Sequence, residues 1–306
     1  MECLGLRLDS VLARIVHSYS KTFGDWEQCS DSTFHKRGRN SREEALFCAA
    51  SCGHLHTCTL LLHNGMHLEW RDSQGDTALF RACSGGHDEV VKALLNHRAN
   101  IQAIDMKGET PLHRCVRLSR VSLALLLLAN KADVDSKDSQ GKTPLFCVFE
   151  LLEAQGRHFL PAVQLAQALI QGRANINQLF PDYSNPLDYA AKLGLETTVQ
   201  LLLGLNADVN IIEQAFGTTP LIRAVTSGHD DVARILLEFK ADVNKRNNGG
   251  YSPLHKLCQK DINQLSRFHD VLLQVLESKA DINFQSTDGF SPLSMAAKVL
   301  TAFYLR

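Results

Sequence analysis

Gly141-Lys142-Thr143 carries the residue types that close a phosphate-binding loop. That chemistry also needs a glycine five places before Gly141, so that backbone N–H groups can cradle a phosphate, and Ser136 stands there instead. A second cluster lies between Cys48 and His67, where Cys48, Cys52, His54, His56, Cys58, His63 and His67 are ligand types suited to zinc. Cys48 and Cys52 are one helical turn apart, but no second pair follows at finger spacing. His54 also shares its local setting, just after a glycine, with His87 and His229, which reads as a repeated structural place. There is no nucleophile elbow, ordered Ser-His-Asp set or kinase motif set. These residues lead us to expect no catalytic residues, no metal ligands and no cofactor.

The chain has 306 residues, with 32 Lys and Arg against 33 Asp and Glu, and a formal net charge of −1. This balance supplies no bulk attraction to nucleic acid or acidic lipid. The nine cysteines are dispersed, as expected of free thiols in a reducing compartment. Arg7, Asp9 and Arg14 interrupt any leader-like apolar run, and the apolar stretch 121–129 is far too short to span a bilayer. The expectation is a cytoplasmic protein, with the nucleus as the alternative.

The elements that position all of this are set by an internal repeat. A small polar residue, then Pro or Ala, then Leu recurs with its middle residue at Ala45, Ala78, Pro111, Pro144, Pro186, Pro220, Pro253 and Pro292. The steps are 33, 33, 33, 42, 34, 33 and 39 residues. Ser or Thr before Pro is a helix start, because the hydroxyl caps a free N–H and Pro fits the first helical turn. Small residues follow, as in Ala49-Ala50 and Ala190-Ala191, and allow neighbouring helices to approach closely. Gly53, Gly86, Gly194 and Gly228 then end the first helix. A second helix, an extended stretch such as Ala241-Asp242-Val243-Asn244 and a glycine turn such as 105–108 complete each copy.

A period near 33 with Thr110-Pro111-Leu112-His113, nearly repeated at Ser252–His255, resembles the ankyrin repeat. The resemblance covers residues 41–306 and implies an all-α solenoid of about eight helix-turn-helix units with short β-hairpin tips, the last repeat being incomplete. Residues 1–40 stand apart: Leu4, Leu8, Val11, Leu12, Ile15 and Val16 outline an amphipathic helix, and residues 35–42 form a basic linker or a nuclear-import signal.

Three departures from the pattern carry information. The fourth and seventh units are nine and six residues long of the period, near 153–161 and 259–266; these are tolerated length changes or recognition loops on one edge. The glycine that usually precedes the extended stretch survives only at Gly65, and Arg98, Lys131, Arg173, Asn206, Lys240 and Lys279 replace it elsewhere. A cation at a helix C-terminus offsets part of the cost of a left-handed stop; the alternative reading of this row is a basic edge for an acidic partner. Aromatic residues also gather at the later tips, as Phe180, Tyr183, Phe216, Tyr251 and Phe290. They are either partner anchors or packing between neighbouring turns.

By the resemblance, the function is a non-catalytic scaffold or adaptor that binds a protein through the concave face. It also implies a monomer, with no small-molecule substrate, no membrane insertion and no role for nucleic acid. Carried over position by position, the partner-binding residues are Met106, Glu109, Arg117, Tyr183, Lys192, Phe216, Tyr251, Lys260 and Phe290. Asn177, Asn210 and Asn244, each eight residues after a Leu, resemble the family's asparaginyl hydroxylation pattern. The alternatives are the recognition part of a ubiquitin-ligase receptor without its C-terminal adaptor box, and a nuclear regulatory factor.

Overall fold

The computed structural model describes residues 41–182, 184–260 and 266–304. The amphipathic and basic readings of residues 1–40, the Tyr183 assignment and most of the inserted segment of the seventh unit lie outside these residues. The described chain contains fifteen α-helices and no strands, and it divides between Ala132 and Asp133 into two compact units.

The first unit holds three helix pairs: α1 (Ser41–Ser51) with α2 (Leu55–His63), α3 (Ala78–Gly85) with α4 (Asp88–Asn96), and α5 (Pro111–Arg117) with α6 (Val121–Ala129). First helices pack on first helices, α1 on α3 and α3 on α5, while second helices form a parallel layer, α2 on α4 and α4 on α6. The second unit repeats the arrangement with α7 (Pro144–Gln155) and α8 (Leu160–Gln171), α9 (Pro186–Leu193) and α10 (Glu196–Gly204), α11 (Pro220–Ser227) and α12 (Asp230–Glu238), α13 (Pro253–Cys258) and α14 (His269–Glu277), and finally α15 (Pro292–Tyr304). No described helix is long and apolar enough to cross a membrane.

The core of each unit follows from the repeated residues. The anchor leucines Leu46, Leu79, Leu112, Leu145, Leu187, Leu221 and Leu254 are all buried, each burial contributing about 1.5–3 kcal/mol. Ala50, Ala82, Cys83, Cys115, Ala190, Ala191 and Ala224 are completely covered where first helices meet. The equivalent of these leucines in α15, Leu293, is 77% exposed, because no second helix among the described residues lies over it.

Helix starts use the expected caps. The side chains of Thr110, Thr143, Asn185, Thr219 and Ser252 each accept the N–H three residues on. His113 and His255 return the bond, their Nδ1 atoms accepting the N–H of Thr110 and Ser252 at 3.2 and 3.1 Å. Second helices end in a left-handed residue at every predicted place: Arg98, Lys131, Arg173, Asn206, Lys240 and Lys279 all have φ between 61° and 68°. In the fourth repeat most of the extra residues are helical rather than loop. They lengthen α7 and α8 to 12 residues each, and Leu152 and Ala162 carry the core along the added turns.

Candidate partner-binding face

Five of the described turns that precede a first helix are tied by one side chain at the same place. Oδ1 of Asp72 accepts the N–H groups of Gln74 and Asp76 at 2.8 and 2.9 Å. Asp105 does the same for Lys107 and Glu109, Asp138 for Gln140 and Lys142, and Asn247 for Gly249 and Tyr251. Glu213, one atom longer, accepts from Ala215 and Phe216. Successive turns are joined through the backbone, Met106 N–H to the Gln74 carbonyl at 3.0 Å and Asn248 N–H to that of Phe216 at 2.9 Å. The expected β-hairpin tips are therefore hydrogen-bonded turns, joined by single bonds rather than by a strand ladder.

The extended stretch is built from Asx turns, in which Asn175, Asp208, Asp242 and Asp281 each accept the N–H two residues on. Asn210 and Asn244 reach into the following repeat, their Oδ1 atoms accepting the N–H of Asp242 and Asp281 at 2.8 Å. Asn177 is exposed, and its N–H rests on Asn175. The three asparagines grouped by spacing thus have different surroundings: two are half-buried bridges and one faces solvent.

The partner-binding residues also separate. Met106 is 76% exposed and Phe216 66%, so both apolar side chains stand at turn tips with little to cover them. Tyr251 is half-buried: its hydroxyl donates to Asp288 at 2.7 Å and Lys256 Nζ lies 4.2 Å above its ring. Phe290 lies under Lys298, and Lys260 lies over Phe268. Lys192 pairs with Glu153 at 2.8 Å and stacks on Tyr189; this hydrogen bond, with one from Tyr189, holds the Glu153 carboxyl below its usual range.

Glu109 differs from its expected setting. It is buried, with Arg117 Nε 2.6 Å and Arg114 Nε 3.6 Å from its carboxylate, so it belongs to an internal ion network. Phe180 is also internal, its ring 4.9 Å from that of Phe146 and 6.1 Å from that of Tyr189. The reason is a paired exchange. Phe180 occupies the place of the turn acids Asp72 and Asp105, and Tyr189 the place of Arg81 and Arg114, so an aromatic pair replaces an ion pair.

The ion network organises the first unit. Arg81 bridges Asp72 and Asp76, and Arg114 bridges Asp76, Asp105 and Glu109. The guanidinium groups rest on the preceding first helices, Arg81 over Phe47 at 4.8 Å and Arg114 over Phe80 at 5.4 Å. Burial pushes the Asp76 carboxyl up, and Arg114 and Arg81 pull it back. In the second unit Arg223 serves Asp188 and Glu213 in the same way.

The histidines of the suspected metal cluster's repeated place have structural partners. His87 bonds the Ser51 carbonyl at 2.9 Å and His229 that of Lys192 at 3.0 Å. Gly194, at φ +70°, leaves room for this: a Cβ there would lie 2.5 Å from His229 Nδ1.

The spacing argument missed Ile104, Leu179 and Ile212, all exposed, at the place just before the turn acid or its replacement. Arg71, Lys137 and Arg246 fill that place in other repeats. A place that accepts both Ile and Arg is not core, and that was the available signal.

The ankyrin-repeat family profile matches residues 27–105, 46–138 and 187–286, and the chain belongs to the ankyrin-repeat family. Similar proteins include a putative ankyrin repeat protein of Rickettsia felis, 34% identical over 102 residues, covering 32% of this chain and 44% of the relative. The neurogenic locus notch homolog protein 1 of Xenopus tropicalis is 35% identical over 89 residues, 29% of this chain and 4% of its own length. Glycerophosphocholine phosphodiesterase GDE1 of Candida albicans is 30% identical over 96 residues, 31% of this chain and 8% of its own length, within the repeat region. The chain spans less than half the length of each of these relatives.

Proposed function

We propose that this protein is a non-catalytic scaffold, acting in the cytosol or nucleus, that binds a protein partner through its turn tips and first helices. The observation that carries the reading is the exposure of Met106 and Phe216 at the tips of turns whose backbones are otherwise tied by side-chain and inter-repeat bonds. A rigid backbone that presents large apolar side chains to water loses little entropy when a partner covers them. Interfaces draw most of their affinity from a few such anchors.

The test is affinity capture from cells with quantitative mass spectrometry, comparing the wild-type chain with an M106S/F216S variant. Neither substitution removes a side-chain hydrogen bond, so circular dichroism and melting are expected to be unchanged. Selective loss of the same proteins in replicate captures supports the reading. An unchanged captured set overturns it.

A further inference from the structure

At the turns of the first unit the acids lie inside and the bases outside. Its turn and first-helix carboxylates, Asp76, Asp105 and Glu109, are buried beneath their arginines, with side chains less than a tenth exposed. Above them the Arg114 and Arg117 side chains remain 23% and 35% exposed. Arg71 is exposed and donates to the Ile104 carbonyl, which places its guanidinium beside the same turn. Lys107, two residues further along that turn, is exposed and has no carboxylate partner among the described residues. Glu69 and Asp72 are half-buried acids of this edge; the Asn100 N–H holds Glu69 Oε1, and Arg81 pairs with Asp72.

The second unit contains one comparable site, at Arg223, and two of its other first-helix and turn cations are matched by carboxylates at the surface. Lys142 meets Glu150 at 2.6 Å and Lys192 meets Glu153 at 2.8 Å, and both carboxylates are themselves a third to a half exposed. A partner approaching there meets both signs. A partner approaching the first unit meets cations, with the compensating charges behind them in a medium that screens poorly.

Between these cations stand Ile104 and Met106, half and three-quarters exposed. We propose that the turn and first-helix face of residues 71–117 binds an acidic peptide segment of a protein partner, with an apolar side chain of that segment seated between Ile104 and Met106. Carboxylates of the segment take the outward N–H groups of Arg71, Arg114 and Arg117 and the ammonium of Lys107. Arg114 and Arg117 suit this role because their planar forks are already held by buried carboxylates, and Arg71 because the Ile104 carbonyl holds it, so little side-chain freedom remains to be lost on binding. This inference rests on the protein-binding reading above and narrows it to one partner chemistry.

The experiment is a fluorescence anisotropy titration of the full chain with a dye-labelled peptide in which glutamates flank a Leu-Phe pair. Peptides with glutamine or lysine in place of glutamate are the controls. The glutamate peptide is expected to bind, to weaken with added salt, and to bind at least tenfold more tightly than the glutamine form, with no binding of the lysine form. An R71E/K107E variant spares the buried network and is expected to lose affinity at least tenfold, while K137E in the second unit leaves it unchanged. Equal binding of the three peptides, no binding of the glutamate peptide, or full affinity in R71E/K107E at an unchanged melting temperature overturns the inference. If the M106S/F216S capture still loses proteins in that case, protein binding stands and only the acidic chemistry falls.

Discussion

His255 Nε2 lies 3.1 Å from the carbonyl oxygen of Phe290, in the turn of the following repeat, and 3.1 Å from that of Phe284. The other ring nitrogen accepts the Ser252 N–H, which requires the neutral imidazole with its proton on Nε2. One side chain therefore caps its own helix and ties down its neighbour's turn, and protonation would abolish the cap.

Burial, partly countered by the two carbonyls, lowers the His255 pKa from 6.5, and burial also lowers that of His229. A folded pKa below the unfolded one means that the unfolded chain binds more protons in the interval between them. Stability is then fully present above 6.5 and falls as pH drops from 6.5 toward the folded value, by at most about 1.4 kcal/mol per pH unit for each histidine. Denaturant melts between pH 7.5 and 5 are expected to show this slope. An H255Q variant should be about 1–3 kcal/mol less stable at pH 7.5 and show a shallower pH dependence. An identical slope in wild type and variant would remove His255 from the account.

The left-handed helix stops make a paired prediction. Lys240 adopts φ 65° at a cost of about 1–2 kcal/mol for a residue with a Cβ, offset by about 0.3–1 kcal/mol from its charge at the helix end. K240G is therefore expected to raise stability by up to about 1 kcal/mol. G194A should destabilise by more than that, because it combines a positive φ with a contact against His229. Equilibrium unfolding of both variants checks the order, and a destabilised K240G would show that the helix-end charge outweighs the backbone term.

The ion network predicts a larger loss. R114M keeps an unbranched apolar stem but removes the guanidinium, which leaves Asp76 and Asp105, both buried, without this partner. Removing one member of a buried charge pair costs about 3–5 kcal/mol. The loss is expected to shrink at low pH, where the Asp76 carboxyl, raised by burial, protonates and no longer needs a partner. A variant as stable as wild type at pH 7 would mean that water, and not Arg114, satisfies these carboxylates.

Local and periodic features were legible in the sequence alone: the period near 33, the Ser/Thr-Pro helix starts, the buried anchor leucines, the glycine stops of the first helices and the left-handed cations of the second. Each depends on residues a few places apart or on a pattern repeated many times, and a helix cap or an αL stop is decided within one turn of chain. What lies across repeats was not legible. Phe180 read as a tip aromatic until the structure placed it with Tyr189 in the Asp–Arg position of other repeats and showed an aromatic cluster with Phe146. Glu109 read as a contact residue because its place in the turn is outward in spacing terms, but two arginines from α5 cover it. Leu293 carries the same anchor motif as Leu221, yet one is 77% exposed and the other is buried. The physical reason is tertiary in each. For Phe180 and Leu293, exposure is set by elements outside their own local stretch, Phe146 standing roughly a full period away, and for Glu109 by how the arginines of the helix that follows fold back over the turn. The sequence by itself determined the repeat and its helices; the stacking of those repeats decided which of their polar and aromatic residues are core and which remain free to meet a partner.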